Sequence, residues 1–385
     1  MTAVGVVTVA RSDYGIVRPV LRRLAAHPRL EPVIYVAGAH LDERWGATVT
    51  EVERDGWPIA ARVASAPEDD SPAAVARAAG RACAAFADAL APAPPGVLLV
   101  LGDRWDMHAA AVAALPLGVP VAHLHGGESS EGAIDESLRH SLTKLSHLHF
   151  AATELYARRI VRMGEEPWRV TVTGAPGVDA LLEASPPPRA ELERRVGIPL
   201  DRPTLLVTLH PATVGGDAAG DARELAAAIE ESGFAAVATF PGADAGAGAI
   251  LAELEALAAR SDRVALVPHL GTDAYVGLMR DAVAMVGNSS SGIIEAATLG
   301  LPVVNVGDRQ RGRVRGANVV DVPPERGAIL DAVAQVTAPA FRTSLAGLEN
   351  PYGDGHAAER VVERLAELPA REVLLAKRFY DGDEA

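Results

Sequence analysis

The chain has 385 residues, is 49% hydrophobic and 22% charged, and carries a net charge of −14. That length and apolar content exclude a disordered chain and are enough for two cores, and the acidic balance excludes attraction to nucleic acid or an anionic membrane through the overall field. The single cysteine, Cys83, excludes an intrachain disulfide and a cysteine-based metal site, and it fits a reducing cytoplasm.

The opening run Val4–Ala10 is apolar, has no basic leader and passes straight into charged residues, which predicts a buried strand rather than a signal peptide. It ends in Arg11-Ser12-Asp13-Tyr14-Gly15, where a helix is expected. A strand-to-helix turn offers amide donors to an anion, and Arg11 adds a charge-assisted one; the competing reading is a Ser or Asp helix cap. Further strands are predicted at Val33–Ala37 and Val97–Leu101. The second of these ends in Gly102-Asp103-Arg104, so Asp103 stands where strand-end catalytic groups sit, again with a capping role as the alternative. The apolar stretch Ala109–Ala122 is broken by Pro116, Gly118 and Pro120 and is too short to cross a bilayer. The strand Val119–Leu124 leads into His123-Leu124-His125-Gly126-Gly127-Glu128, then Asp135-Glu136 and Arg139-His140. Such a density of proton-transfer groups after an apolar strand points to acid–base chemistry. His123 and His125 are expected on one face of that strand, without a third ligand at metal spacing.

Ser185-Pro186-Pro187-Pro188 can continue neither a helix nor a central strand. It divides the chain into a first domain over 1–185, a second over 186–355, and a C-terminal helix within 356–385, read over His356–Ala376 and packing back on the first domain. Second-domain strands are predicted at Leu205–Leu209, Ala235–Phe240, Val264–Val267, Ala284–Gly287 and Val303–Val306. Near-continuous apolar strands alternating with helices predict an α/β protein of two Rossmann-like domains with parallel sheets. Ligands of such sheets bind at the carboxyl ends of the strands, here in a cleft between the domains. His210-Pro211 follows one strand, and His210 is suited to meet a leaving diphosphate. Gly287-Asn288-Ser289-Ser290-Ser291-Gly292 is a strand-to-helix turn able to cradle an anion, with Glu295 expected on the first helical turn. It lacks the glycine-lysine signature of a P-loop. The run Arg309, Arg311, Arg313, Arg315 reads equally as a basic ligand site or a solvated loop.

These segments, taken in order with Lys144-Leu145-Ser146-His147-Leu148-His149-Phe150 and Gly307-Asp308-Arg309-Gln310, resemble the hydrolysing UDP-N-acetylglucosamine 2-epimerases of sialic-acid and legionaminic-acid pathways. The resemblance runs from about residue 5 to 365. It implies the GT-B architecture and a UDP-sugar substrate, with loss of UDP through a glycal and hydration to a sugar inverted at carbon 2. It implies no metal and no cofactor, a cytoplasmic enzyme, and a homodimer or homotetramer. Asp103, Asp135 and His210 match catalytic positions of the family. Ser289, Ser290 and Glu295 match diphosphate and ribose contacts, flanked by Ser291 and Gly292. Arg11, Arg104 and Arg309 match basic positions near nucleotide or sugar. His125 replaces a glutamate found in some members, so the choice of base among His125, Glu128 and Glu136 stays open. Sugar substituents would be read by loops such as 40–47 and 105–108. Other readings are a non-hydrolysing 2-epimerase, a glycosyltransferase on the same fold, or a nucleotide-sugar sensor.

Overall fold

The computed structural model describes residues 1–69, 71–131, 133–212, 216–241, 246–268 and 270–382, with the backbone alone at Trp45. They divide into two compact units. The first comprises Met1–Glu128, Asp135–Ala180 and Tyr352–Ala385; the second comprises Ser129–Ile134 and Leu181–Pro351.

The first unit holds strands β1 (Thr2–Thr8), β2 (Leu30–Ala37), β3 (Ile59–Val63), β4 (Val97–Leu101), β5 (Val121–Leu124), β6 (Leu148–Ala151) and β7 (Val170–Val172). They form one parallel sheet in the order β3-β2-β1-β4-β5-β6-β7. Every residue of β4, β5 and β6 is buried, as strands covered on both faces require. The helix Arg11–Ala26 buries Tyr14, Val17, Leu21 and Leu24, spaced three and four apart on one face. Burying each of these large side chains stabilises the fold by roughly 1.5–3 kcal/mol. The helix Ala357–Ala366 packs on this one and adds Ala358, Val361, Val362 and Leu365 to the same core. The alanine bias also has a use. The helix Pro72–Leu90 buries Ala74, Ala78 and Ala82 at four-residue spacing and lies against Trp105–Ala114, itself half alanine, so the two backbones approach closely.

The segment read as one helix over His356–Ala376 is two, Ala357–Ala366 and Arg371–Leu375. Pro369 between them removes a backbone donor and bars helical geometry at the residue before it. The second piece is anchored by Arg169, which is almost wholly buried and donates to the carbonyls of Leu374 (2.9 Å), Val373 and Ala376. Lys377 then donates to the carbonyls of Lys144 and Ser146 and pairs with the buried Glu165 at 2.8 Å.

The second unit holds β8 (Thr204–Thr208), β9 (Ala235–Thr239), β10 (Val264–Val267), β11 (Ala284–Gly287), β12 (Val303–Val306) and β13 (Val319–Val322), parallel in the order β10-β9-β8-β11-β12-β13. Alternation along its strands builds two cores. Leu205, Val207, Ala284, Val286 and Val304 face one, while Leu206, Met285 and Val303 face the other. No described helix is long and apolar enough to cross a membrane.

In each sheet the strand order reverses once, between β1 and β4 and between β8 and β11. Ligands of open parallel sheets bind beyond the carboxyl ends of the strands at that reversal.

Candidate active site

At the reversal in the first sheet, β1 runs through Val9 and Ala10 into Arg11. Ala10 occupies the cap position and makes no side-chain cap bond, so neither Ser12 nor Asp13 serves as a cap there. Burial lowers the pKa of Arg11, against the opposing pull of Glu51. Asp13 is buried, which pushes its carboxyl up, while Arg104 draws it down. At the end of β4 the cap position falls to Arg104, again without a side-chain bond. Asp103 is thus freed from capping and pairs instead with Arg139.

Arg139 organises the cluster. It is 1% exposed and bridges two carboxylates, donating to Asp103 through one terminal nitrogen and to Glu128 Oε2 at 3.2 Å through the other. The second oxygen of Glu128 lies 2.5 Å from His125 Nδ1. Glu128 is wholly buried and His125 is 7% exposed. A neutral imidazole donating from Nδ1 to this carboxylate carries a lone pair on Nε2, and His125 Nε2 has no hydrogen-bond partner among the described residues. His125 sits at φ +61°, a conformation shared among described non-glycine residues only with Ala47. Glycines make this turn feasible. A Cβ on Gly127, at φ +73°, would lie 2.6 Å from the Tyr156 carbonyl, and one on Gly126 would lie 2.9 Å from His123 Nδ1.

The expected pairing of His123 and His125 on one strand face does not occur, because β5 stops at Leu124 and the backbone turns at His125. His123 is a satisfied core residue, with Nε2 2.7 Å from the Gly102 carbonyl and burial depressing its pKa to about 3. Asp135 and Glu136 open the helix Asp135–Leu145, and Glu136 pairs with His140 at 3.0 Å. His40, expected in a sugar-reading loop, is fully buried between the hydroxyls of Thr8 (2.9 Å) and Thr48 (2.8 Å) and holds the loop rather than facing a ligand.

At the reversal in the second sheet, Asn288 joins the two strand ends. Its side chain accepts from the His210 amide at 2.7 Å and donates to the His210 carbonyl at 2.9 Å. The Asn288 carbonyl accepts from Gln310 Nε2 at 2.8 Å and faces Arg309 at 3.5 Å. Ser289 caps the short helix Ser290–Ile294 by accepting from the Ser291 amide. Glu295 terminates that helix instead of standing on its first turn, because the helix is only one turn long. Gly292 is packed tightly, since a Cβ there would lie 2.9 Å from Val303. Tyr275, on the helix Thr272–Asp281, lies near Ser291, Thr208 and Ser289, and burial raises its phenol pKa. In the arginine run, Arg309, Arg313 and Arg315 are half-buried and Arg311 is exposed. Arg313 donates to the Ser129 carbonyl, Arg315 to the carbonyls of Arg313 and Gln310, and Arg311 pairs with Glu131. Arg309 reaches the Asn288 turn at the Asn288 carbonyl.

The family profile described as UDP-N-acetylglucosamine 2-epimerase matches residues 22–366. The chain belongs to that family. Among its relatives, the Legionella pneumophila protein named UDP-N,N'-diacetylbacillosamine 2-epimerase (hydrolyzing) is 36% identical over 96% of this chain and 97% of its own. The polysialic acid biosynthesis protein P7 of Escherichia coli is 31% identical over 98% of this chain and 97% of its own. The fold is that of a Neisseria meningitidis UDP-GlcNAc 2-epimerase structure, at a TM-score of 0.80, 21% identity, and coverage of 95% of this chain and 100% of that one. A Staphylococcus aureus structure with UDP superposes at 0.80, with 18% identity and coverage of 99% and 100%. The architecture is therefore the GT-B type of two Rossmann-like units. From sequence, Asp103, His125 and Glu128 stood out with candidate roles, Arg139, Asn288 and Gln310 stood within motifs without a role of their own, and Tyr275 was not singled out. Arg139 carried a signal, standing in the titratable stretch that follows the two glycines. Tyr275 carried none.

Proposed function

We propose that the protein is a hydrolysing 2-epimerase acting on a UDP-linked 2-acetamido sugar, with His125 as the base at carbon 2. The observation that carries this reading is His125 Nε2, a nitrogen without a hydrogen-bond partner among the described residues, whose ring is fixed through Nδ1 on Glu128. His125 takes the proton from carbon 2. The electrons of that C–H bond form a double bond to carbon 1 as the bond from carbon 1 to the diphosphate oxygen breaks. UDP departs with its charge met by His210, Arg309 and the Ser289–Ser291 turn. Water then adds, its oxygen to carbon 1 and a proton to carbon 2 from the opposite face, a proton for which Asp103 and Asp135 are the candidate donors. In sum, UDP-sugar and water give UDP and a free sugar inverted at carbon 2, with no oxidant or reductant. The Legionella relative, named for hydrolysis and for a diacetylated amino sugar, supports both finer parts of the reading.

The test is incubation in heavy water with UDP-N-acetylglucosamine and UDP-N,N'-diacetylbacillosamine, read by NMR. Free UDP and a free inverted sugar carrying deuterium at carbon 2 are expected from at least one. An inverted sugar still attached to UDP would overturn hydrolysis, and no turnover of either would overturn the reading.

A further inference from the structure

We infer that Asn288 is a positioning residue for His210, and that Gln310 holds Asn288 in place; this rests on the reading of His210 as the group that meets the leaving diphosphate. The argument starts from the sheet. β8 and β11 pair in parallel up to Thr208 opposite Gly287, and the Asn288 amide still bonds the Thr208 carbonyl at 3.0 Å. Beyond that point the backbone ladder has ended. A residue two positions past a strand is ordinarily free to swing, because its amide and carbonyl have lost their neighbours. At His210 they have not. The Asn288 carboxamide stands where the next peptide group of β11 would stand, accepting from one side and donating to the other. The His210 backbone is thereby held as though the sheet continued, which fixes the direction in which its side chain leaves the chain.

Asparagine alone suits this place. Aspartate keeps the acceptor but sets a second oxygen against the His210 carbonyl. Serine is too short to reach both groups, and glutamine is a methylene too long. Asn288 is 5% exposed and Gln310 is 1% exposed, so the clamp is built into the interior and water does not replace it. Gln310 closes it from behind through the Asn288 carbonyl at 2.8 Å.

The experiment is a double-mutant cycle on the full chain with UDP-N-acetylglucosamine as substrate, alongside calorimetry with UDP. His210→Ala is expected to lower kcat by ~10²–10⁴-fold, the range for losing one proton-transfer group. Asn288→Ala is expected to lower kcat by roughly 10–100-fold with little change in KM, since a misplaced group near the reacting atoms costs on that order. Because Asn288 acts through His210, the double variant is expected to be no slower than His210→Ala alone, within about twofold. Gln310→Leu, which leaves the His210 contacts untouched, is expected to act in the same direction more weakly and to be silent in the His210→Ala background. A kcat of Asn288→Ala equal to that of the unaltered enzyme, or a double variant slowed by the product of the two single effects, overturns the inference while leaving the role of His210 standing. An unimpaired His210→Ala overturns that role and the inference together.

Discussion

His125 holds a left-handed backbone conformation that costs an ordinary L-residue about 1–2 kcal/mol. The cost is offset locally by the bond to Glu128 and, behind it, by Arg139. Asparagine tolerates this conformation better than most residues and can still donate to Glu128. His125→Asn is therefore expected to melt within a few degrees of the unaltered protein while kcat falls ~10²–10⁴-fold. A large drop in melting temperature with turnover intact would contradict both parts. Asp106 supplies a second residue-scale expectation. Burial pushes its carboxyl from 3.8 to about 6, while Arg104 and the Ser65 hydroxyl pull the other way. The folded state then binds more protons than the unfolded one between about pH 4 and 6, so this group's contribution falls as pH rises through that window. Asp106→Asn keeps an acceptor for Ser65. It is expected to leave stability unchanged near pH 4 and to raise it by up to ~3 kcal/mol above pH 6, as thermal melts across pH would register.

Among the elements, the C-terminal helix Arg371–Leu375 is too short to persist by its own hydrogen bonds. Its place depends on Leu374 in the first core and on the buried Arg169. Arg169→Met removes the donors to three tail carbonyls and is expected to cost ~1–3 kcal/mol, read as protease cleavage beyond residue 366 before the rest of the chain opens. Cleavage no faster than in the unaltered protein would refute this anchoring. The same scale explains which strands were legible. β4 and β11 announce themselves as unbroken apolar runs, and β8 and β9 as apolar runs with threonine only at their ends, because both their faces are covered. β3 alternates half-buried and exposed positions at the sheet edge. β6 has four residues, one of them the buried His149, and β7 has three half-buried residues. β13 lies at the other sheet's edge and is only partly covered. None of these carries enough apolar signal to stand out from a loop. In the site, strand-end residues such as Asp103 and His210 were readable because a parallel sheet exposes its strand ends. Arg139 and Asn288 act through contacts 11 and 78 positions away along the chain, a relation that spacing alone does not encode.

For the whole molecule, each candidate cluster lies at the reversal of strand order in its own sheet, acid–base groups on one and the serine turn with His210 on the other. In the proposed reaction the steps divide along the same line, with proton abstraction assigned to His125 of the first unit and the departing diphosphate to His210 and the serine turn of the second. The first unit is also discontinuous. Its sheet is finished by Val172, yet the helix Ala357–Ala366 that covers Arg11–Ala26 follows the whole of Leu181–Pro351. On a ribosome adding about 5–20 residues per second, those intervening residues take roughly 10–30 s to emerge. For that interval, while the second unit is itself being synthesised, Val17, Leu21 and their neighbours lack the cover that Ala357–Ala366 supplies. That face of Arg11–Ala26 stays open to water during synthesis until Ala357–Ala366 emerges to close it.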